Sequence, residues 1–185
     1  MEQEKRRVPA SNIRQGHSIA YSRSTTVRLM EVLDANGHGN VHGGVIMRMV
    51  DEAAAIVAIK HARLPVVTAR VERFDFLAPA YIGNVVSVHC ALDYVGRTSM
   101  EVEVEVVAED LMTGETRTVA RSYVIYVALD DKGKPTPVPP LIPANAEEQA
   151  KIEEALLRRR HMQEIDAKLA QIREETSHFR QTGSA

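Results

Sequence analysis

One long, almost wholly apolar helix is the feature that most constrains the fold of this chain. Residues 43–62 read GGVIMRMVDEAAAIVAIKHA, where helix-forming and apolar residues dominate every turn. A helix that is apolar around most of its circumference cannot lie on a protein surface, so the pattern predicts a central helix that other elements cover. At 185 residues the chain has room for one well-packed domain around it.

The segments around this helix have the alternation of β-strands. One such segment precedes the helix, at 24–32, and four follow it, at 66–77, 84–95, 98–109 and 116–129. The third of these four alternates most strictly, with valines on one side and Glu101, Glu103 and Glu105 on the other. Because the breaks between the last four are short, we expect those strands to run antiparallel as a meander.

The two ends of the chain have other compositions. Residues 1–20 are polar and charged, which predicts a loose N-terminal arm without the apolar core of a secretory signal. Residues 133–143, GKPTPVPPLIP, predict an extended proline-rich spacer. Residues 144–180 are rich in Ala, Glu, Leu, Lys and Arg and predict a long helix. A 3-4-3 apolar spacing in this helix favours a short interhelical contact, through Met162, Ile165, Leu169 and Ile172.

Charge and composition exclude several classes of function. A formal net charge of -2 gives no electrostatic reason to expect nucleic acid or an anionic membrane as a partner. No apolar run approaches the roughly 20 residues that span a bilayer. The single cysteine, Cys90, precludes an intramolecular disulfide and fits a reducing compartment. We therefore expect a cytoplasmic protein.

The acid inside the apolar helix is the first candidate for chemistry. Arg48 and Glu52 stand four residues apart on one arc, so they can form an ion pair on an accessible side. Asp51 lies about 100° away from Glu52 on the helical wheel. Its neighbours on the helical wheel are Gly44, Met47, Ala54 and Ala58. This position predicts a carboxylate in a partly desolvated cleft, which is costly unless the group is hydrogen-bonded or used in a reaction.

Two interpretations of Asp51 remain open at this point. It is either a structural acid bonded to a nearby hydroxyl or amide, or a general base or nucleophile. The helix start favours the second, because Gly43 and Gly44 let a ligand approach the N–H groups there, which stabilise a carbonyl oxygen that gains negative charge. Asn40 precedes this turn and is either a loop residue or an amide donor to the same pocket. Together these groups are typical of acyl transfer or water activation.

The same residues carry a resemblance to a known family. The stretch DANGHGNVHGGVIMRMVDEAA resembles the signature of the acyl-CoA thioesterases that include brain acyl-CoA hydrolase and its small bacterial relatives. RVERFDFLAPAYIGNVV, VGRTSMEVEVEV and KPTPVPPL agree with it in order, so the resemblance covers roughly residues 20–143. It implies an α+β hot-dog fold, in which a five-stranded antiparallel sheet wraps around a central helix. Residues 21–132 would form this domain, with the C-terminal helix as an extension.

The family also implies roles for single residues. Asp51 matches the acid that activates water or attacks the thioester, and Asn40 matches the amide that orients the thioester or the water. Gly43 and Gly44 match the helix start that polarises the carbonyl. Two protomers of such enzymes pair their sheets edge to edge, and the Asn and the Asp of one site come from different chains. The resemblance thus implies a homodimer or higher oligomer (tetramer or hexamer) that hydrolyses acyl-CoA to fatty acid and coenzyme A, with no cofactor.

Other polar residues give less specific signals. Arg97, Thr98 and Ser99, in a turn between two strands, match a position near bound coenzyme A, and an Arg with hydroxyls suits a phosphate. His42 is not a base in the resembling family, so we interpret it as a packing or loop residue. Cys90 falls on an alternating apolar face and is predicted to be a core residue.

Two other functions remain as alternatives. Hot-dog enoyl-CoA hydratases use a D-x-N-P-x-H pattern, which Asp34, Asn36 and His38 begin, but here the proline is missing and the histidine comes one place early. The other alternative is a non-enzymatic acyl-CoA-binding or scaffold protein. We expect no metal, because His38 and His42 lie in a glycine-rich loop and no third ligand has suitable spacing.

Overall fold

The structure, a computed structural model, describes residues 15–182. Within these residues, three α-helices and five β-strands follow each other, with a short 3-10 turn at Val32–Asp34. The elements are α1 (Ile19–Ser22), β1 (Ser24–Leu29), α2 (Gly43–Ala62), β2 (Val66–Phe76), β3 (Asn84–Val95), β4 (Ser99–Asp110), β5 (Thr116–Ala128) and α3 (Ala146–Thr182). No helix in residues 15–182 is long and apolar enough to cross a bilayer.

The five strands form one antiparallel sheet in the order β1-β3-β4-β5-β2, which confirms the predicted fold class. The predicted four-stranded meander is wrong in one respect, because only β3, β4 and β5 are consecutive neighbours and β2 pairs with β5 at the far edge. The connection 77–83 carries the chain across the sheet and is held by the Val41 N–H, which donates to the Ala80 carbonyl at 2.9 Å. The first strand is also shorter than predicted, since it ends at Leu29.

Helix α2 packs on the inner face of the sheet. Its bounds are those predicted from the sequence. Its C-cap is Arg63, a left-handed residue (φ 55°) followed closely by Pro65. Alanines at its buried positions bring the helix close to the sheet. Between them these surfaces bury Ile46, Met49, Val50, Ala53, Ala54, Val57 and Ala58 from the helix, and Val86, Val88, Leu92, Val102, Val104, Val106, Val124 and Tyr126 from the strands. This contact forms the hydrophobic core.

Helix α3 crosses the outer face of the same sheet. It begins beside α1, where the Glu148 carboxylate accepts the Ile19 and Ala20 N–H groups, and then passes over β4, where Lys151 pairs with Glu103 at 3.1 Å. Arg158 follows, and its guanidinium bridges two buried carboxylates, Asp93 at 2.5 Å and Glu101 at 2.9 Å. Asp166 then pairs with Arg70 of β2 at 2.9 Å. The helix thus runs from one side of the sheet to the β2 edge.

One prediction about this outer layer needs correction, and one buried acid lies there that the alternation did not indicate. Residues 1–14 of the expected arm lie outside the described residues, but the end of that arm is not loose, because Ile19 is fully buried. Glu101, on the side of β4 opposite its valines, is also fully buried, beneath Arg158 and Arg159. Strand alternation could not indicate that a distant helix covers that face.

Candidate active site

The loop before α2 is organised by one asparagine side chain. Asn36 Oδ1 accepts the N–H groups of His38 at 2.8 Å and Asn40 at 3.2 Å, and the Asn36 N–H donates to the Asn40 carbonyl at 2.7 Å. Such an Asx turn suits the Asn-Gly-rich sequence of this loop. Because Oδ1 is fixed by two amides, the orientation of the Asn36 NH₂ group is fixed as well.

The helix start itself is capped by a histidine. His42 is the N-cap residue, and its Nδ1 accepts the Gly44 N–H at 2.9 Å. The Gly44 amide, expected to face a ligand, is therefore engaged. Gly43 is the first helical residue, and the helix supplies no carbonyl for its N–H. A Cβ atom at Gly43 would stand 3.2 Å from Cζ of Phe76, so glycine allows this ring to lie directly over the helix start.

A surface cavity of about 400 Å³ opens at this helix start. It lies between the loop, the first turn of α2 and the end of β2. Its lining includes Asn36, Asn40, Gly43, Ile46, Phe76 and Pro79. We call Asn36, Asn40 and Gly43 the helix-start half-site. It brings together two of the predicted residues, Asn40 and Gly43, with Asn36, but Asp51 does not line it.

Asp51 lies elsewhere and is held by two hydroxyl groups. Thr68 Oγ1 donates to Asp51 Oδ1 at 2.7 Å, and the Tyr126 hydroxyl donates to the same oxygen at 3.0 Å and to the Asp51 carbonyl at 2.8 Å. Burial, followed by the charge and hydrogen bond of Asp51, raises the pKa of Tyr126, so this hydroxyl is a stable neutral donor. We call Asp51, Thr68 and Tyr126 the acid half-site.

The predicted desolvated cleft around Asp51 is absent from the single chain. Asp51 is exposed, and so are three apolar residues of the same helix, Met47, Ile56 and Ile59, at 43–46 % of their surface. The accessible ion pair between Arg48 and Glu52 is found as predicted, at 2.8 Å. The sequence pattern shows that α2 is apolar on most sides, but the sheet of the same chain covers only part of its circumference.

The two half-sites are too far apart to act on one carbonyl within a chain. Asp51 lies eight residues beyond Gly43, which is about 12 Å along the helix axis. The sheet register shows the same separation. Phe76, which lines the cavity of the helix-start half-site, pairs with Ala120, whereas Thr68 of the acid half-site pairs with Tyr126. Six residues of β5 separate these two rows, about 20 Å. Both half-sites nevertheless lie along β2, one near each end of the strand.

The other predicted binding residues form the turn between β3 and β4. The Gly96 N–H donates to the Ser99 carbonyl at 2.8 Å, and the Arg97 carbonyl accepts the Val138 N–H at 3.0 Å. Arg97 is exposed, whereas Thr98 and Ser99 are half-buried. Since Met100 pairs directly with Tyr126, this turn lies at the end of the sheet that holds the acid half-site.

The remaining candidates do not join either half-site. Cys90 is buried in the core as predicted, and burial raises the pKa of its thiol to about 12, which keeps it protonated. Across residues 15–182, no three His, Cys, Asp or Glu side chains cluster as a metal site would require. The expectation of a metal-free reaction stays a prediction.

Comparison with known proteins identifies the family. Residues 38–115 match the family model described as the thioesterase superfamily. The uncharacterized acyl-CoA thioester hydrolase YkhA of Bacillus subtilis is 43% identical over 116 residues, which cover 63% of this chain and 67% of that protein. The cytosolic acyl coenzyme A thioester hydrolase of Rattus norvegicus is 35% identical over 140 residues, 75% of this chain but only 37% of the rat protein. The chain thus spans little more than a third of the mammalian relative.

Solved structures agree with this result. A hexameric acyl-CoA thioesterase without ligand superimposes with a TM-score of 0.79 at 37% identity, covering 83% of this chain and 98% of that one. The acyl-CoA hydrolase of Staphylococcus aureus, in complex with butyryl coenzyme A and coenzyme A, has a TM-score of 0.73 at 35% identity, covering 83% and 95%. The chain belongs to the hot-dog acyl-CoA thioester hydrolases.

Variants of the Staphylococcus aureus enzyme have also been solved. In three of them an aspartate, an asparagine or a threonine is replaced by alanine. In that enzyme the asparagine stands 15 positions before the aspartate, and the threonine 17 positions after it.

Sequence reasoning missed three residues of the two half-sites. Asn36 is part of the quoted signature, but nothing in its spacing distinguished it from Asn40. Thr68 and Tyr126 lie in strands that are distant from Asp51 in sequence. Only the sheet register, which pairs Thr68 with Tyr126, brings both under the helix.

Proposed function

We propose that the protein hydrolyses acyl-CoA thioesters to a free fatty acid and coenzyme A, at sites shared between two copies of the chain. The observation that carries this proposal is Asp51, a carboxylate held by Thr68 and Tyr126 on an otherwise apolar flank of α2. In a family of acyl-CoA thioester hydrolases, such an acid is suited to activate water or to attack the thioester.

The open edge of β2 supports a site made by two chains. Beside it lie apolar side chains that are about half exposed, Val67, Val71 and Phe76. An unpaired strand with such residues is a surface for pairing with another strand. If two β2 strands pair antiparallel about a two-fold axis, opposite ends of the strand meet. The acid half-site of one chain then approaches the helix-start half-site of its partner, and the partner covers the exposed flank around Asp51.

The chemistry follows from the positions of the two half-sites. Thr68 and Tyr126 both donate to Oδ1 of Asp51, so Oδ2 is available to take a proton from water. The water oxygen then forms a bond to the thioester carbon, and the carbonyl oxygen gains negative charge. The Gly43 N–H at the positive end of the α2 dipole stabilises that charge. When the intermediate collapses, the C–S bond breaks, and the sulfur of coenzyme A takes from Asp51 the proton that this acid removed from water. Direct attack by the carboxylate, followed by hydrolysis, is the alternative route.

For the amide that orients the thioester or the water, we favour Asn36 over Asn40. Asn36 precedes Asp51 by 15 positions, and Asn40 by 11. The first spacing equals that between the two residues replaced in the Staphylococcus aureus enzyme, and Thr68 reproduces the spacing of its threonine. Two loop amides fix Oδ1 of Asn36 and thereby aim its NH₂ group. Asn40 lines the same cavity and remains the second candidate.

We propose further that coenzyme A binds at the turn of Arg97, Thr98 and Ser99. An exposed guanidinium beside two hydroxyls suits a phosphate, and the turn lies at the end of the sheet that holds Asp51. Residues 21–132 would form the catalytic domain, and residues 133–143 and 144–180 its extension. No cofactor takes part in this reaction, because the acid and the amide donors supply the proton transfer and the charge stabilisation.

We propose that the working form is a homodimer that assembles further into a hexamer. Three similar solved thioesterases are hexameric, and the shared site needs two chains. We place the enzyme in the cytoplasm, as supported by its mammalian relatives, which are named cytosolic.

One assay separates this function from its alternatives. Purified protein is incubated with short- and long-chain acyl-CoAs in the presence of a chelator, and free thiol is followed. We expect thiol release above the blank for some chain lengths. Loss of crotonyl-CoA absorbance without thiol release would instead indicate a hydratase. Binding without either reaction would indicate an acyl-CoA-binding protein.

A further inference from the structure

The proline-rich spacer, residues 133–143, lies against the turn between β3 and β4. Prolines lack an N–H, so the carbonyls of such a segment need donors from other parts of the molecule. Of the four residues that end at Pro140, only Val138 has an N–H, and it donates to the Arg97 carbonyl at 3.0 Å. The Pro140 carbonyl accepts the N–H of His17, which precedes α1, at 3.0 Å. The spacer is thus attached both to the turn of Arg97 and to the segment before α1.

A buried histidine binds the spacer between these two contacts. His61 lies in the last turn of α2 and is fully buried, with its Nε2 at 2.8 Å from the Pro139 carbonyl. Burial lowers the pKa of His61, although the hydrogen bond to Pro139 acts in the opposite direction, so the ring is neutral at pH 7. Because a carbonyl can only accept, the single ring proton is on Nε2 and is donated to Pro139. The ring of His17 contacts the His61 ring edge-on, with 5.5 Å between centroids.

The contacts of Val138 and Pro139 are coupled by the stiffness of the chain between them. The ring of Pro139 fixes its own φ and restricts the preceding residue, Val138, to extended conformations. The Val138 side chain is also buried in the hydrophobic core. The Pro139 carbonyl therefore cannot move far without moving the Val138 N–H that binds the Arg97 carbonyl. The hydrogen bond from His61 thus determines how the spacer meets the turn.

We infer that His61 is a positioning residue for coenzyme A, because it holds the turn of Arg97, Thr98 and Ser99 through the proline-rich spacer. The inference rests on the coenzyme A site proposed above at that turn. A turn that is ordered before binding loses little conformational freedom when a phosphate binds, and this raises affinity. His61 follows Asp51 by ten residues, about 15 Å along α2, so it acts on binding and not on cleavage of the thioester.

The test uses two variants of His61 that separate its hydrogen bond from its ring. His61→Phe keeps a ring but has no donor, whereas His61→Gln keeps an NH₂ donor without the ring. Calorimetric titration measures the dissociation constant of coenzyme A. We expect His61→Phe to raise it by about tenfold, because a buried carbonyl loses its donor, and His61→Gln to stay within about threefold of wild type. In the thiol-release assay, the KM of His61→Phe should rise while kcat stays within about twofold.

Three further variants serve as references for this titration. Glu148→Ala removes the carboxylate that accepts the Ile19 and Ala20 N–H groups, so it should lower thermal stability and leave the dissociation constant unchanged. Val138→Pro removes the N–H that binds the Arg97 carbonyl and should raise the dissociation constant by about tenfold without altering the helix. Arg97→Ala tests the proposed phosphate contact itself and should have the largest effect.

The outcomes distinguish failure of this inference from failure of the proposed function. Unchanged dissociation constants in His61→Phe and Val138→Pro, together with weaker binding by Arg97→Ala, would overturn the role of His61 alone. The same conclusion would follow if Glu148→Ala weakened binding as much as His61→Phe, because a general loss of stability would then explain both. An unchanged dissociation constant in Arg97→Ala would overturn the coenzyme A site at the turn and the inference with it. Thiol release by the wild type is measured separately and tests the enzymatic function.

Discussion

The two half-sites differ in what they offer a thioester. The helix-start half-site offers a thioester neutral donors, the Gly43 N–H and the asparagine NH₂ groups, in a surface cavity whose loop is fixed by hydrogen bonds. The acid half-site contains a carboxylate on an exposed helix flank, and two hydroxyl groups donate to one of its oxygens. One half can stabilise negative charge and the other can remove a proton. About 12 Å of helix separates them, so the proposed mechanism needs a second chain to bring the two halves together.

Removal of the carboxylate should have the largest effect on activity. Asp51→Asn keeps the shape of the side chain but removes the base, so kcat should fall by about 10²–10⁴-fold in the thiol-release assay. Glu52→Gln is the matched control, because Glu52 is the next residue and is exposed on the same helix. Near-wild-type turnover by Asp51→Asn, or a loss that only follows thermal stability, would return Asp51 to the role of a structural acid.

Removal of the amide in the other half-site should have the next largest effect. Asn36→Ala should lower kcat by about 10²–10³-fold, because a preorganised donor to developing charge is lost. Asn40→Ala tests the same loop four residues later and should cost less than about tenfold, because its backbone, rather than its side chain, takes part in the loop bonds. The reverse order of the two losses would make Asn40 the orienting amide.

The hydroxyls that hold Asp51 should have a smaller effect. Tyr126→Phe removes one of two donors to Oδ1 and keeps the ring in the core, so kcat should fall about tenfold, as expected for one hydrogen bond to a charged group. Thr68→Val should behave similarly. Tyr123→Phe is a suitable control, because this tyrosine lies on the outer face under Arg158. An unchanged kcat in both variants would show that the hydroxyls do not position the acid.

The outer face should affect stability and leave kcat almost unchanged. Arg158→Ala leaves Asp93 and Glu101 without their bridging guanidinium, and breaking a buried ion pair in this way destabilises proteins by about 3–5 kcal/mol. Chemical denaturation measures the loss, and Arg160→Ala, an exposed neighbour, is the control. We expect kcat of the folded variant to stay within about twofold, because Arg158 is on the face opposite to both half-sites. A drop in kcat of the size seen for Asp51→Asn would connect the outer face to the reaction.

Local patterns were sufficient to predict most elements, because each depends on residues near in sequence. The bounds of α2 and β3 agree to the residue, since apolar periodicity and flanking breakers define them. The edge position of β2 was missed because strand order depends on long-range pairing, which the short connection 77–83 did not indicate. The exposure of Asp51 was missed for a different reason. An apolar helix face has the same sequence whether its own sheet or a second chain covers it.

The site was predicted in part for the same reason. Asp51 and Gly43 stand out because an acid and a glycine are unusual where they occur in an apolar helix. Asn36 and Asn40 stand in one polar loop, and only the hydrogen bonds around Oδ1 distinguish them. Thr68 and Tyr126 carry no local signal of their partnership with Asp51, because a hydroxyl on a strand is common and its partner lies on a distant helix.

Mixing two inactive variants tests most directly whether the site is shared between chains. Asp51→Asn and Asn36→Ala chains are unfolded together in equal amounts, refolded and assayed for thiol release. Random pairing puts both defects into one site of each mixed dimer and leaves the other site intact, so about a quarter of wild-type activity should return. Each variant refolded alone serves as the reference. Activity of the mixture that does not exceed the sum of the two variants would contradict a site built from Asp51 of one chain and Asn36 of the other.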